Sequence, residues 1–358
     1  MRILYYLHAL SLGCTEKNAI NNAIYLQSKG HDVFVFSELG GAREFELHLR
    51  GIKLLSEVDI FKKSWDMVHF HSSGLNLPIL KKFREKFPYT KLILTNVFGG
   101  YSSLNKKYLD GMIFVSNACA AKFFFRLGRQ PKHSAVIYNM VWDHDISNPT
   151  ELSHNNDGQI VVGRVGRNDI TKWSFDIADI INSTDEKYFK FKLVGCPDEI
   201  KREIVNRNVE YIEQITSNTE LNEFYSTLDV LLHTSRFGES FGCIFVEAAN
   251  HGIISLTKAT PLKLNFWSDN AQAEIVAATK IGLCARTNYG LLKVLDRVRK
   301  HGYSRYQIYQ NGLSIFNIDK IGKDLLLFYD AVLSGKPHKL GQFSVISRYL
   351  TDQGKTHD

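Results

Sequence analysis

Phe237-Gly238-Glu239-Ser240-Phe241-Gly242, running into Cys243-Ile244-Phe245-Val246-Glu247-Ala248-Ala249-Asn250-His251-Gly252, sets two glutamates around an aromatic-glycine turn. The apolar run Val230-Leu231-Leu232 lies just upstream, so Glu239 belongs to a loop leaving a strand. Ile244, Phe245, Ala248 and Ala249 fall at helical spacing, which puts Glu247 on a short helix that Gly252 can end in the left-handed conformation. A loop carboxylate and a helix carboxylate can thus border one cavity beyond the end of a strand, where open α/β sheets bind ligands. Carboxylates there accept hydrogen bonds from sugar and ribose hydroxyls. The backbone N–H groups of Phe241 and Gly242, opening the helix, suit a phosphate.

Outward from this stretch, short apolar runs alternate with helical patterns. Residues 3–7, 31–36, 67–70, 92–95, 112–116 and 135–138 read as buried strands in the first half, and 160–163, 189–194, 209–212, 229–232 and 253–256 in the second. Unbroken apolar runs spaced by helices indicate mostly parallel sheets. Thr15 is placed to cap a first helix that runs to Ser28 and is closed by Gly30, and a last helix covers about residues 318–333. Polarity rises between Trp142 and Gly158, through Asn148-Pro149 and Asn155-Asn156-Asp157-Gly158, which marks an interdomain linker. The expected division is therefore 1–141 and 159–333 for two Rossmann-like domains, 142–158 for the linker and 334–358 for a tail. Phe343, Ile346 and Leu350 of that tail can form one helical face.

The 358 residues suffice for two cores, and 44% apolar with 23% charged residues is a globular composition. No run approaches the ~20 apolar residues of a membrane-spanning helix. The residues from Ile3 to Cys14 follow a single arginine and precede no small-residue cleavage site, so they read as a strand and turn rather than a secretion signal. Cys14, Cys119, Cys196, Cys243 and Cys284 are scattered and odd in number, which suits reduced thiols in the cytoplasm. Residues 1–145 carry 19 Lys and Arg against 12 Asp and Glu, while the rest has 25 of each, so the whole +7 charge sits in the first half. Its clusters are Lys62-Lys63, Lys81-Lys82-Arg84-Lys86 and Lys122-Arg126-Arg129-Lys132. With no helix-turn-helix, RNP or zinc-knuckle signature, nucleic acid is not the expected partner. An anionic membrane surface fits the charge and the interleaved Phe123-Phe124-Phe125 better.

The Glu239/Glu247 spacing resembles the Glu-x7-Glu motif of retaining glycosyltransferases with the GT-B fold, in particular glycosyltransferase family 4. The resemblance runs from Met1 to about Leu333. It includes Lys29-Gly30-His31-Asp32-Val33, Leu193-Val194-Gly195, the helix before Asp229-Val230, and His233-Thr234-Ser235. The stretch from Gly163 to Trp173 resembles the family's basic diphosphate clamp, in which an arginine precedes a lysine by five positions; that selects Arg167 and Lys172, with Arg164 as the other alignment.

The fold so implied is α/β, two doubly wound Rossmann-like domains facing a cleft, the first binding acceptor and the second binding a nucleotide-sugar donor. The implied donor contacts are Gly13, Arg167, Lys172, Glu239, Ser240, Phe241, Gly242 and Glu247, with Glu247 on the ribose and Glu239 near the reacting sugar. Arg167, Lys172 and Glu239 carry catalysis in this reading, with His71 and Asn96 as further candidates.

Several positions depart from the family. The glycine pair of the first turn is reduced to Gly13-Cys14, a usual histidine is replaced by Asn96-Val97-Phe98-Gly99-Gly100, and Asn139-Met140-Val141 stands for Asn-Gly-Val, which stiffens the crossover. Asn96 can donate a hydrogen bond but cannot shuttle a proton, whereas His69 and His71 end another strand on one face. Asp143-His144-Asp145 has a metal-binding form but falls in the linker, so no metal or other cofactor is expected. The expected activity is a cytoplasmic, membrane-peripheral, metal-independent retaining glycosyltransferase. It moves a sugar from a nucleoside diphosphate-sugar to a glycan or lipid-linked acceptor in bacterial surface polysaccharide assembly. The rival readings are a nucleotide-sugar epimerase of the same architecture and a non-catalytic scaffold subunit.

Overall fold

Thirteen short parallel strands carry the architecture among the described residues of this computed structural model, which are 1–72, 77–98, 106–127, 132–141, 158–259, 270–339 and 341–355. The linker from Trp142 to Asp157, the Asp143-His144-Asp145 triplet and Gly99-Gly100 lie outside them. The chain divides into two units, Met1–Trp142 with Phe316–Tyr349, and Asp143–Ile315 with Leu350–Asp358.

In the first unit the strands are β1 (Arg2–Leu7), β2 (Asp32–Ser37), β3 (Lys53–Leu54), β4 (Met67–Ser72), β5 (Lys91–Asn96), β6 (Gly111–Phe114) and β7 (His133–Val136). They form one sheet in the order β3-β2-β1-β4-β5-β6-β7. The doubly wound order reverses between β1 and β4, where Leu7 stands opposite His71. The first helix runs Cys14–Ser28 and buries Ala19, Ile20, Ala23 and Leu26. Gly30 closes it as expected, with φ +81°, its N–H on the Gln27 carbonyl and the His31 N–H on the Leu26 carbonyl. Its start differs from the expectation. Gly13 is the N-cap and Thr15 lies inside the first turn, so no side chain caps this end.

The last expected helix is found at Ile318–Ser334, but it belongs to the first unit and not with residues 159–315. Its buried face, Ile321, Leu325, Phe328, Tyr329 and Val332, follows the helical period and needs a core. The Tyr329 hydroxyl lies 2.9 Å from that of Tyr5 and 2.6 Å from His69 Nδ1, while His69 Nε2 lies 2.7 Å from Thr95 Oγ1. Gly322 leaves room for the Tyr25 ring, which any side chain there would strike. In the tail helix Gln342–Gln353 the buried residues are Val345, Tyr349 and Asp352, whereas Leu350, expected on the apolar face, is exposed.

The second unit repeats the plan with β8 (Ile160–Val165), β9 (Phe189–Val194), β10 (Val209–Ile212), β11 (Val230–His233), β12 (Ile254–Lys258) and β13 (Gly282–Ala285), in the order β10-β9-β8-β11-β12-β13. Here the order reverses between β8 and β11, so a crevice is expected beyond Val165 and His233. All five cysteines are free thiols, and all but Cys14 are buried. Among the described residues no helix is long and apolar enough to cross a membrane.

Candidate functional site

Two loops leave the switch point of the second sheet. The first follows β8 and ends in a 3-10 turn, Ile170–Lys172, whose N-cap Asp169 accepts hydrogen bonds from the Thr171 N–H (2.9 Å) and hydroxyl (2.8 Å). The loop is shaped from inside by Arg164. This residue is 1% exposed, lies 4.8 Å from the Trp173 ring centre, and donates to the carbonyls of Val165, Lys172 (2.9 Å) and Thr234 (3.4 Å). Trp173 in turn donates through Nε1 to the Arg167 carbonyl at 2.9 Å. Arg164 is therefore bound into the scaffold, whereas the Arg167 side chain is exposed and makes no hydrogen bond or ion pair among the described residues. Burial separates the two alignments that spacing left open.

The second loop follows β11 and carries Glu239. Both carboxylate oxygens lie 3.5 Å from Lys172 Nζ, and Oε1 lies 3.3 Å from His233 Nε2. Burial opposes ionisation of Glu239, but Lys172, His233 and Arg164 outweigh it and hold the carboxyl down at about 2. Burial, helped by Arg164, lowers His233 to about 4, so the imidazole is neutral at pH 7. Lys172 retains a third of its side-chain exposure, so one side of its ammonium faces solvent while the other meets Glu239.

Glu239 leads directly into the helix Cys243–Asn250. Gly242 is its N-cap with φ +84°, and a Cβ there would sit 2.5 Å from the Phe245 ring, so the turn requires glycine. Phe241 is buried, and Ser240 is half-buried between it and Glu239. The helix ends as expected: Gly252 has φ +67°, its N–H bonds the Ala249 carbonyl and the Ile253 N–H the Ala248 carbonyl, both at 2.9 Å. Glu247 is 5% exposed and accepts from the Tyr225 hydroxyl at 3.0 Å, while the Tyr225 ring stacks on His251. Neither His233 nor Tyr225 was singled out as a site residue from the sequence. Each closes or follows an apolar pattern and so reads there as core.

The remaining candidates stand in the first unit. Gly13 has φ −76° and ψ 160°, a conformation open to any residue, and an added side chain would meet only the mobile carboxylate of Glu16. His71, the penultimate residue of β4, is 1% exposed, with Tyr5 and His69 against its ring and neither ring nitrogen hydrogen-bonded among the described residues. Burial pushes it down to about 3. Asn96 ends β5, buried, with its amide nitrogen 3.8 Å from the Met112 sulfur. Met140, before the linker, is fully buried; its N–H bonds Asn18 Oδ1 (2.8 Å) and its carbonyl accepts from Asn21 (2.9 Å). Among the described residues no group of three or more His, Cys, Asp or Glu is arranged to hold a metal ion.

No protein-family model matches the chain, and no curated protein matches its sequence. Solved structures do match. HepE of Anabaena in complex with UDP aligns with a TM-score of 0.74 and 15% identity, over 92% of this chain and 100% of that one. A glycosyltransferase from Rickettsia africae aligns with a TM-score of 0.71 and 15% identity, over 93% and 98%. The lipopolysaccharide outer core galactosyltransferase WaaB, in its apo form, gives 0.65 and 15%, over 94% and 100%. At such identities the likeness carries the fold, and the fold is GT-B, with two Rossmann-like parallel-sheet domains.

Proposed function

We propose that this chain is a retaining glycosyltransferase of the family 4 type. It takes a sugar from a nucleoside diphosphate-sugar and adds it to a glycan or lipid-linked acceptor in bacterial surface polysaccharide assembly, such as O-antigen or capsule. The observation that carries the reading is the meeting of Lys172 and Glu239 at the switch-point ends of β8 and β11. A cation for a diphosphate and a carboxylate for sugar hydroxyls stand side by side where a doubly wound sheet binds its ligand. The UDP and UDP-glucose complexes of HepE support a nucleotide-sugar donor.

In this reading Glu247 holds the ribose, while Ser240 and the N–H groups of Phe241 and Gly242 turn the opening of their helix towards the phosphates. Arg167 and Lys172 stabilise the charge that grows on the leaving diphosphate as the glycosidic bond breaks, so the leaving group needs no metal. The departing phosphate helps take the proton of the acceptor hydroxyl, and the sugar is delivered on the face it left. No covalent glycosyl-enzyme is required. The basic first unit presents the acceptor at an anionic membrane surface, with the protein peripheral on its cytoplasmic side.

Incubation with UDP- and GDP-sugars, with and without membrane glycolipid acceptors, tests the reading. The expected result is acceptor-dependent release of one nucleoside diphosphate and a product with the donor's anomeric configuration. Turnover of a nucleotide sugar to its epimer without acceptor would replace transfer with epimerisation.

A further inference from the structure

Glu239 is locked beside the very cation that a diphosphate needs. Its two oxygens are equidistant from Lys172 Nζ at 3.5 Å, His233 Nε2 stands 3.3 Å from one of them, and its side chain is only 14% exposed. A charge so enclosed is weakly screened. An arriving diphosphate therefore meets Lys172 already half-neutralised, and a second anion just behind it. A sugar attached to that diphosphate changes the balance, because its hydroxyls donate to the carboxylate and repay the repulsion.

On the glycosyltransferase reading, we propose that Glu239 is the residue by which the site tells the intact nucleotide-sugar from the spent nucleotide. It admits the donor through the sugar's hydroxyls and disfavours the bare diphosphate left after transfer. The same carboxylate that grips the substrate thus loosens the product, a use of charge that speeds product release where release limits turnover. Arg167 is exposed and makes no hydrogen bond or ion pair among the described residues, so its charge attracts both species.

Calorimetric titration of UDP, GDP and inorganic pyrophosphate into wild type, Glu239→Gln, Glu239→Ala and Glu239→Asp tests this, with melting curves to verify folding. The two neutral variants are expected to bind the bare diphosphates about tenfold more tightly than wild type, and the charge-conserving Asp variant no more tightly. The gain is expected to shrink without vanishing when Lys172→Met is added, because the part carried through the lysine is lost while the direct repulsion between carboxylate and diphosphate remains. Equal or weaker diphosphate binding by both neutral variants, while wild type binds and Lys172→Met alone weakens it, overturns the inference and leaves the transferase reading standing. Wild type that binds none of the three ligands overturns the transferase reading and the inference together.

Discussion

Arg164 near the end of β8 and Lys172 in the loop that follows stand eight positions apart, and their surroundings separate chemistry from scaffold. Lys172→Ala should lower the transfer rate about a hundredfold, roughly 3 kcal/mol, and lower the melting temperature modestly, since the buried Glu239 loses one of its cations but keeps Arg164 and His233 nearby. Arg164→Ala should instead lower the melting temperature by several degrees, because three carbonyls and the Trp173 face lose a buried partner. Kinetics and thermal unfolding of the two variants side by side distinguish these roles. Tyr225→Phe, which removes the hydroxyl donated to Glu247, should weaken nucleotide binding by about 1 kcal/mol in calorimetry. Burial also sets a pH dependence. His71, His233 and His251 are lowered to about 3, 4 and 4 from an ordinary 6.5, so the folded chain binds fewer protons than the unfolded one between those values. Their contribution to stability is complete above pH 6.5 and is lost as pH falls through the folded values; Glu239, held at about 2, adds a further loss below its ordinary 4.5. The melting temperature should therefore decline steadily from about pH 6.5 to 4. A midpoint that stays level to pH 4.5 would contradict the buried, neutral state of these rings. Glu239 and Glu247 were legible in the sequence because a turn and a periodic helix fix where each carboxylate stands. Arg164 was not separable from Arg167 by spacing, since whether a cation ending a strand lies under or over its loop depends on Trp173, a partner reached only in three dimensions.

At the scale of the elements, the helix Cys243–Asn250 depends on its entry. Gly242→Ala should destabilise the protein by about 1–3 kcal/mol, through both the positive φ and the Phe245 ring, as measured by denaturant unfolding. The long strands were readable because a doubly buried parallel strand leaves an unbroken apolar run. Of the four edge strands, β3 and β13 were not. Lys53–Leu54 has two residues, both exposed, and Gly282–Ala285 opens on a glycine that sits against the Ser255 carbonyl. The six-residue π-helix Ala273–Ala278 was equally hidden, although the Ala271 N–H just before it bonds the Glu239 carbonyl at 2.9 Å and ties it to the site. Its wider turn shifts the apolar period that sequence reading relies on. Met140, expected to stiffen the crossover, is held through its backbone by Asn18 and Asn21 on the first helix.

For the whole molecule, the chain's end completes its beginning. Tyr329 sits between Tyr5 and His69, residues of the first and fourth strands, so the division drawn from polarity missed a return that only a three-dimensional core reveals. Tyr329→Phe should cost about 1–3 kcal/mol in unfolding measurements by leaving that buried chain of hydroxyls and imidazole short of a partner. The lopsided charge is also tempered by the fold. Arg84 is spent on Asp110 and on the Tyr108 and Thr90 carbonyls, and Lys82 on Glu57, whereas Lys81 and Lys86 are exposed and make no ion pair among the described residues. Both lysines belong to the helix Leu77–Lys86, and vesicle co-sedimentation should weaken on Lys81→Glu with Lys86→Glu. The central claim, a nucleotide-sugar site on the second unit, is tested most directly by calorimetric binding of UDP and GDP to the protein and to Glu247→Ala. The account predicts selective binding of one nucleotide, weakened at least tenfold by the substitution. A folded protein that binds neither, or binds one equally well without the Glu247 carboxylate, would contradict it.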